Sequence, residues 1–147
     1  MSLKLYVLIR NDITEAQQAV QAGHALAQFG ADHPKEFLDW QATSNILVYL
    51  SVNLVNYWRT VLEDGGFVYS VFHEPDMYEP CWRQSGDEPG IDTAIAVAPS
   101  WICQYLLFKD LPLAFQPKPV ELPPRQDWSP LLQVPEPEPE PKRRWWQ

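Results

Sequence analysis

Cysteine is scarce in this chain: among 147 residues only Cys81 and Cys103 occur, 22 positions apart. Neither has a second Cys or His beside it at metal-ligand spacing, which argues against a zinc site. A structural disulfide is not expected in a reducing compartment. No run approaches the roughly 20 apolar residues of a membrane span. The opening "MSLKLYVLIRND" carries its apolar residues in a strand pattern and lacks the small-residue cleavage site of a secretory signal. A cytoplasmic location off the membrane is therefore expected. G-x-G-x-x-G, P-loop and H-E-x-x-H patterns are missing, and so is the G-x-S-x-G of serine hydrolases.

Positive charge is also scarce. Nineteen Asp and Glu face 11 Lys and Arg, a net charge of −8. The imbalance lies entirely in residues 1–110, which hold six Lys/Arg against 14 Asp/Glu, whereas 111–147 hold five of each. That disfavours contact with a nucleic-acid backbone, whose affinity comes largely from Lys and Arg. A protein partner suits such a surface better, and an acidic surface can also imitate nucleic acid.

Proline is abundant, and its placement divides the chain. Ten of the 15 prolines follow residue 110, so 111–147 cannot form regular helix or a central strand. The expected organisation is a domain over 1–110 and a Pro-rich extended tail over 111–147. Within the tail, "PEPEPEPK" reads as a polyproline-type spacer. Its tip, "KRRWWQ", joins Lys142, Arg143 and Arg144 to two tryptophans. Aromatic and arginine side chains are common interface anchors.

Residues 1–110 alternate between strand and helix patterns. Strands are expected at 3–9, 45–52, 67–74 and 92–99. A helix from Glu15 to Gly30 or Ala31 follows Thr14 as N-cap, and "HPKEFLDWQ" carries Pro34 in a first turn. "NLVNYWRTVLEDGG" reads as a helix closed by Gly65 and Gly66, and "SWICQYLLF" as a last helix capped by Ser100. The fold class is α/β: a four-stranded mixed sheet with helices on both faces.

On the first helix two stripes run side by side. Ala16, Ala19, Val20, Gly23, Ala27 and Gly30 recur at steps of three and four, as if to bring the helix close to the sheet. Gln17, Gln21, His24 and Gln28 form a polar row beside them. His24 therefore belongs to a row of hydrogen-bonding groups that could face the carboxyl ends of the strands, where α/β sheets place their ligand crevice. An imidazole titrates near neutrality, which suits a general base or a water-orienting group. Such a base needs a carboxylate to fix its tautomer, and Glu74 and Asp76 are placed for it after the third strand. The ordinary alternative is a histidine tolerated at the edge of a core.

"KLYVLIRND … QAVQAGHALAQF" resembles the opening of the type 2, archaeal and eukaryotic-type, peptidyl-tRNA hydrolases. There a strand ending in Arg-x-Asp precedes a helix bearing A-x-Q-x-x-H-A. The matching positions here are Arg10, Asp12, Ala19, Gln21, His24 and Ala25. "GIDTAIAVAP" is similar to the family's threonine-bearing last strand, with Thr93 at the threonine. "FHEPDMYEP" looks most like the short phage and bacterial variant, which reads E-P-D before a loop. The resemblance covers roughly residues 3–108 and none of the tail.

The resemblance implies hydrolysis of the ester between a peptide and the 3′ end of tRNA. It implies His24 acting on the attacking water, Asp76 orienting or polarising it, and Thr93 and Gln21 supporting the site, with Arg10 beside the substrate. No metal or organic cofactor is implied, and pairing into a homodimer is possible. Gln17 stands where the family has a lysine that can grip a phosphate or an oxyanion. The D-A-G-R-T-Q motif is also missing. tRNA contact would then fall to Lys142, Arg143 and Arg144, with Trp145 and Trp146 stacking on unpaired bases. The alternative is a non-catalytic, phage-type interaction or inhibitor protein on the same fold. A third option is hydrolysis of another small ester or amide.

Overall fold

The computed structural model describes residues 2–75 and 91–115. The elements follow in the order β1 (Leu5–Arg10), α1 (Glu15–Asp32), α2 (Pro34–Ala42), β2 (Leu47–Val52), α3 (Val55–Asp64), β3 (Tyr69–Glu74) and β4 (Ile91–Val97), and a π-helical turn over Cys103–Leu107 comes last. The strand order is β2-β1-β4-β3. β1 runs parallel to β2 and antiparallel to β4, and β3 is antiparallel to β4. This is the expected four-stranded mixed α/β sheet.

Both faces are covered. Leu5, Val7, Ile9, Ala94 and Ala96 pack with Ala22, Ala25 and Phe29 of α1 and Trp40 of α2. Tyr6, Leu8, Ile95 and Val97 pack on the other side with Leu62 of α3, Cys103 and Phe108. A strand covered on both faces reads as continuous apolar sequence rather than alternation, which is why "LYVLI" is apolar throughout.

The small-residue stripe of α1 does not face the sheet. Ala16, Ala19, Val20, Gly23 and Ala27 are exposed, and the buried positions are Gln18, Gln21, Ala22, Ala25 and Phe29. Phe29, fully buried, sets the phase, because a large apolar ring gains far more from burial than a methyl group. Alanine favours helix on any face, so its spacing carries little information about direction. Close approach does occur at Gly30, where an added Cβ would lie 3.6 Å from the Phe37 ring of α2.

The last helix is wider than expected. Gln104 N–H reaches Ser100 O at 3.0 Å, but Phe108 N–H bonds Cys103 O at 2.8 Å, five residues back. That turn brings Phe108 edge-on to Tyr6 and Trp58 in the core.

The folded body also continues past Asp110. Ser51 N–H donates to Pro112 O and Ala114 N–H to Tyr49 O, both at 2.9 Å, and Phe115 sets its ring edge-on to Tyr49. Residues 112–115 thus cover the outer edge of β2. Proline fits an outermost position, where its missing N–H faces away from the ladder.

Candidate active site

A β-bulge decides the local geometry. Phe72 opposes Ala94 while His73 opposes Asp92, so Thr93 is an extra residue in β4. Strict alternation would turn Thr93 away from Ala94, toward α3. The bulge returns it to the α1 side, where its hydroxyl donates to Gln21 Oε1 at 2.7 Å. Asp92 is turned to the α3 side, where Arg59 reaches it.

The Thr93 bond fixes the Gln21 amide with its NH2 pointing outward, and Nε2 donates to Glu74 Oε2 at 3.0 Å. Gln21 is 2% exposed and Thr93 fully buried, so each polar group needs the partner it has. The result is a short chain, hydroxyl to amide to carboxylate, across β4, α1 and β3. It lies at the carboxyl ends of the parallel strands β1 and β2.

His24 is one turn further along α1. It is exposed, and its ring stacks on Phe72 with centroids 4.6 Å apart and planes 13° from parallel. Phe72 is thus a floor that orients the imidazole; the sequence reading did not name it. Its signal was present, since Phe72 and Glu74 alternate on one face of β3 opposite His24 and Gln21 on α1.

Gln17 caps rather than projects. Thr14 Oγ1 accepts from Gln17 N–H at 3.2 Å while Gln17 Oε1 accepts from Thr14 N–H at 3.1 Å, a reciprocal capping box. The Gln17 amide is therefore spent on the helix start. Arg10 grips Asp12 with a two-pronged ion pair, Nε to Oδ1 and Nη2 to Oδ2, and lays Nη1 3.5 Å from Asp92 O. The Arg10 guanidinium holds the Asp12 carboxyl below its usual range, chiefly by that hydrogen bond. Asp76, Lys142, Arg143 and Arg144 lie outside the described residues.

Phe72 stacks on His24, and Thr93 and Glu74 hydrogen-bond to Gln21, so these partners are apolar, neutral and acidic. A cavity of about 570 Å³ lies at the other end of the sheet, lined by Leu3, Glu36, Trp40, Ser44 and Pro99 among others. It includes none of these site residues. Among the described residues no helix is long and apolar enough to cross a membrane, and no group of three or more His, Cys, Asp or Glu could hold a metal ion.

No protein-family model matches this chain, and no curated protein matches it.

Proposed function

We propose that this protein hydrolyses the ester between an acyl or peptidyl group and the 3′ end of tRNA, in the manner of the peptidyl-tRNA hydrolases it resembles. The observation that carries this reading is the Thr93–Gln21–Glu74 chain beside an exposed, ring-stacked His24. The imidazole takes a proton from water as the oxygen attacks the acyl carbon. Asp76, two residues beyond Glu74, orients that water. Gln21 holds the helix edge in register with β4, so His24 meets the substrate in one pose. Arg10 stands at the substrate side, and Lys142, Arg143 and Arg144 supply cationic contact to the RNA. A tRNA substrate places the reaction in the cytoplasm.

The test is release of a labelled acyl-amino acid from acyl-tRNA by the full chain. Turnover that falls on the order of 10²-fold in His24→Ala supports the reading. Turnover unchanged in that variant, or absent from the wild type, removes it.

A second reading has its own observation. The surroundings of His24 hold a carboxylate and an aromatic ring, and several large apolar side chains are exposed elsewhere, Leu54, Tyr57, Trp101 and Leu106 among them. Those features suit a phage-type interaction or inhibitor protein that binds another protein, alone or as a homodimer. Absence of turnover combined with a saturable protein partner favours it.

A further inference from the structure

The cavity of about 570 Å³ lies where α2, the chain before β1 and the residues after β4 meet. Sites for small organic ligands run to about 300–1,000 Å³, so its size suits one. Leu3, Trp40, Ala98 and Pro99 give it an apolar wall. That wall is held from behind. Trp40 is 6% exposed, its indole N–H donates to Ile46 O at 3.0 Å, and its ring sits against Phe37 with centroids 5.5 Å apart. The Ser44 hydroxyl donates to Leu3 O and ties the turn after α2 to the chain before β1. These bonds exist without a ligand, so the cavity is preformed.

The polar lining is acidic and rich in acceptors. Glu36 and Asp39 stand three residues apart on one face of α2 and line the cavity together, and no Lys or Arg is among the described residues that line it. The Thr43 hydroxyl donates to Asp39 O at 2.7 Å, as Ser44 does to Leu3 O and the Trp40 indole to Ile46 O. What these three side chains leave for a ligand is hydroxyl lone pairs and ring surface. Ser2 adds one further hydroxyl. Lys35 Nζ lies 3.6 Å from Asp39 Oδ2, but the two side chains are 83% and 69% exposed, and so open an ion pair is readily exchanged for another. The matching ligand is positively charged, rich in donors and partly apolar. A guanidinium has five N–H donors and no acceptor, forks onto carboxylates and stacks on aromatic rings, whereas an ammonium is a compact point charge with three donors.

We propose that this cavity binds a small organic cation, its guanidinium head held by Glu36 and Asp39 and its apolar body laid against Leu3, Trp40 and Pro99. The site is separate from His24 and does not depend on the tRNA reading. Two carboxylates against one cationic head leave the site attractive to cations and repellent to anions. The apolar wall supplies the rest of the affinity by removing the ligand body from water.

The test titrates the full chain with Nα-benzoyl-arginine amide by calorimetry at about 0.15 M salt, where diffuse attraction to an acidic protein is screened. Two analogues keep the benzoyl body: the citrulline amide, a neutral isostere of the guanidinium, and the lysine amide. Glu36→Gln and Asp39→Asn remove one charge each at unchanged size, and Glu63→Gln removes an exposed charge on α3 as control. Thermal unfolding checks that all three variants are folded. The expected result is saturable binding of one equivalent of the arginine compound, with a shift of the Trp40 indole N–H resonance. The citrulline analogue and each cavity variant bind on the order of tenfold more weakly, and Glu63→Gln stays within about twofold. No saturable binding overturns the proposal. So does affinity unchanged in both cavity variants, an equal loss in Glu63→Gln, or equal affinity for the citrulline compound. Equal affinity for the lysine amide overturns the guanidinium assignment. The acyl-tRNA assay with His24→Ala is read independently, so either site can fail alone.

Discussion

Thr93 shows how one residue serves both site and stability. Its hydroxyl satisfies the oxygen of a nearly buried amide, so Thr93→Val leaves Gln21 Oε1 without a donor at almost unchanged volume. The expected cost is about 1–3 kcal/mol, read as a lower urea midpoint, while Thr93→Ser, which keeps the donor, stays close to wild type. Gly23 is a contrasting position. An added Cβ would meet nothing within 4 Å, in the middle of an exposed helix face. Gly23→Ala is expected to raise stability by about 0.5–1 kcal/mol, measured by thermal unfolding. If it also abolishes ester turnover, a substrate approaches the backbone one residue from His24.

At the scale of the element, α1 is tied at both ends by groups whose ionisation matters. At its start the capping box joins Thr14 to Gln17. At its end Asp32 accepts from Ser70 Oγ of β3 and from Gln28 Nε2, both at 2.8 Å. Those hydrogen bonds, Ser70's first, hold the exposed Asp32 carboxyl below its ordinary value, and Arg10 does the same for Asp12 just before the helix. Both groups bind protons more weakly in the folded state than in the unfolded chain. Their contribution to stability is therefore present above the ordinary aspartate pKa of about 3.9 and is lost as pH falls through the lower folded values. Urea midpoints taken from pH 6 downward should fall in the acid range, and Asp32→Asn should flatten part of that fall.

For the molecule as a whole, the edge of the sheet is a controlling feature. β2 is outermost, and its backbone groups at Tyr49 and Ser51 are occupied by residues 112–114. An uncovered strand edge is a template for pairing with another chain. Ending the chain after Asp110 is expected to lower the urea midpoint and to make sedimentation depend on concentration. Ending it after Phe115 keeps the two edge bonds and the Tyr49 contact, and should behave as a stable monomeric or native-state body. Equal behaviour of the two truncations would show that the edge segment contributes nothing. The charge of −8 acts at the same scale, since excess acid raises solubility and repels polyanions over a distance set by salt.

Local chemistry was readable from the chain alone. The Thr14 cap, the Gly65–Gly66 helix stop with Gly66 at φ +68°, the buried β1 and the four-strand α/β class all follow from residue types and their spacing. These depend on interactions within a few residues, which a linear pattern encodes. The face of α1 that is buried, the partner of Gln21 and the pairing of His73 with Asp92 depend on contacts between 19 and 72 positions apart. No local pattern carries them. They were decided by Phe29 filling the core and by one extra residue in β4, which reverses the direction of Asp92 and Thr93. A period-two pattern cannot announce a bulge, because the register it breaks exists only once the two strands have paired.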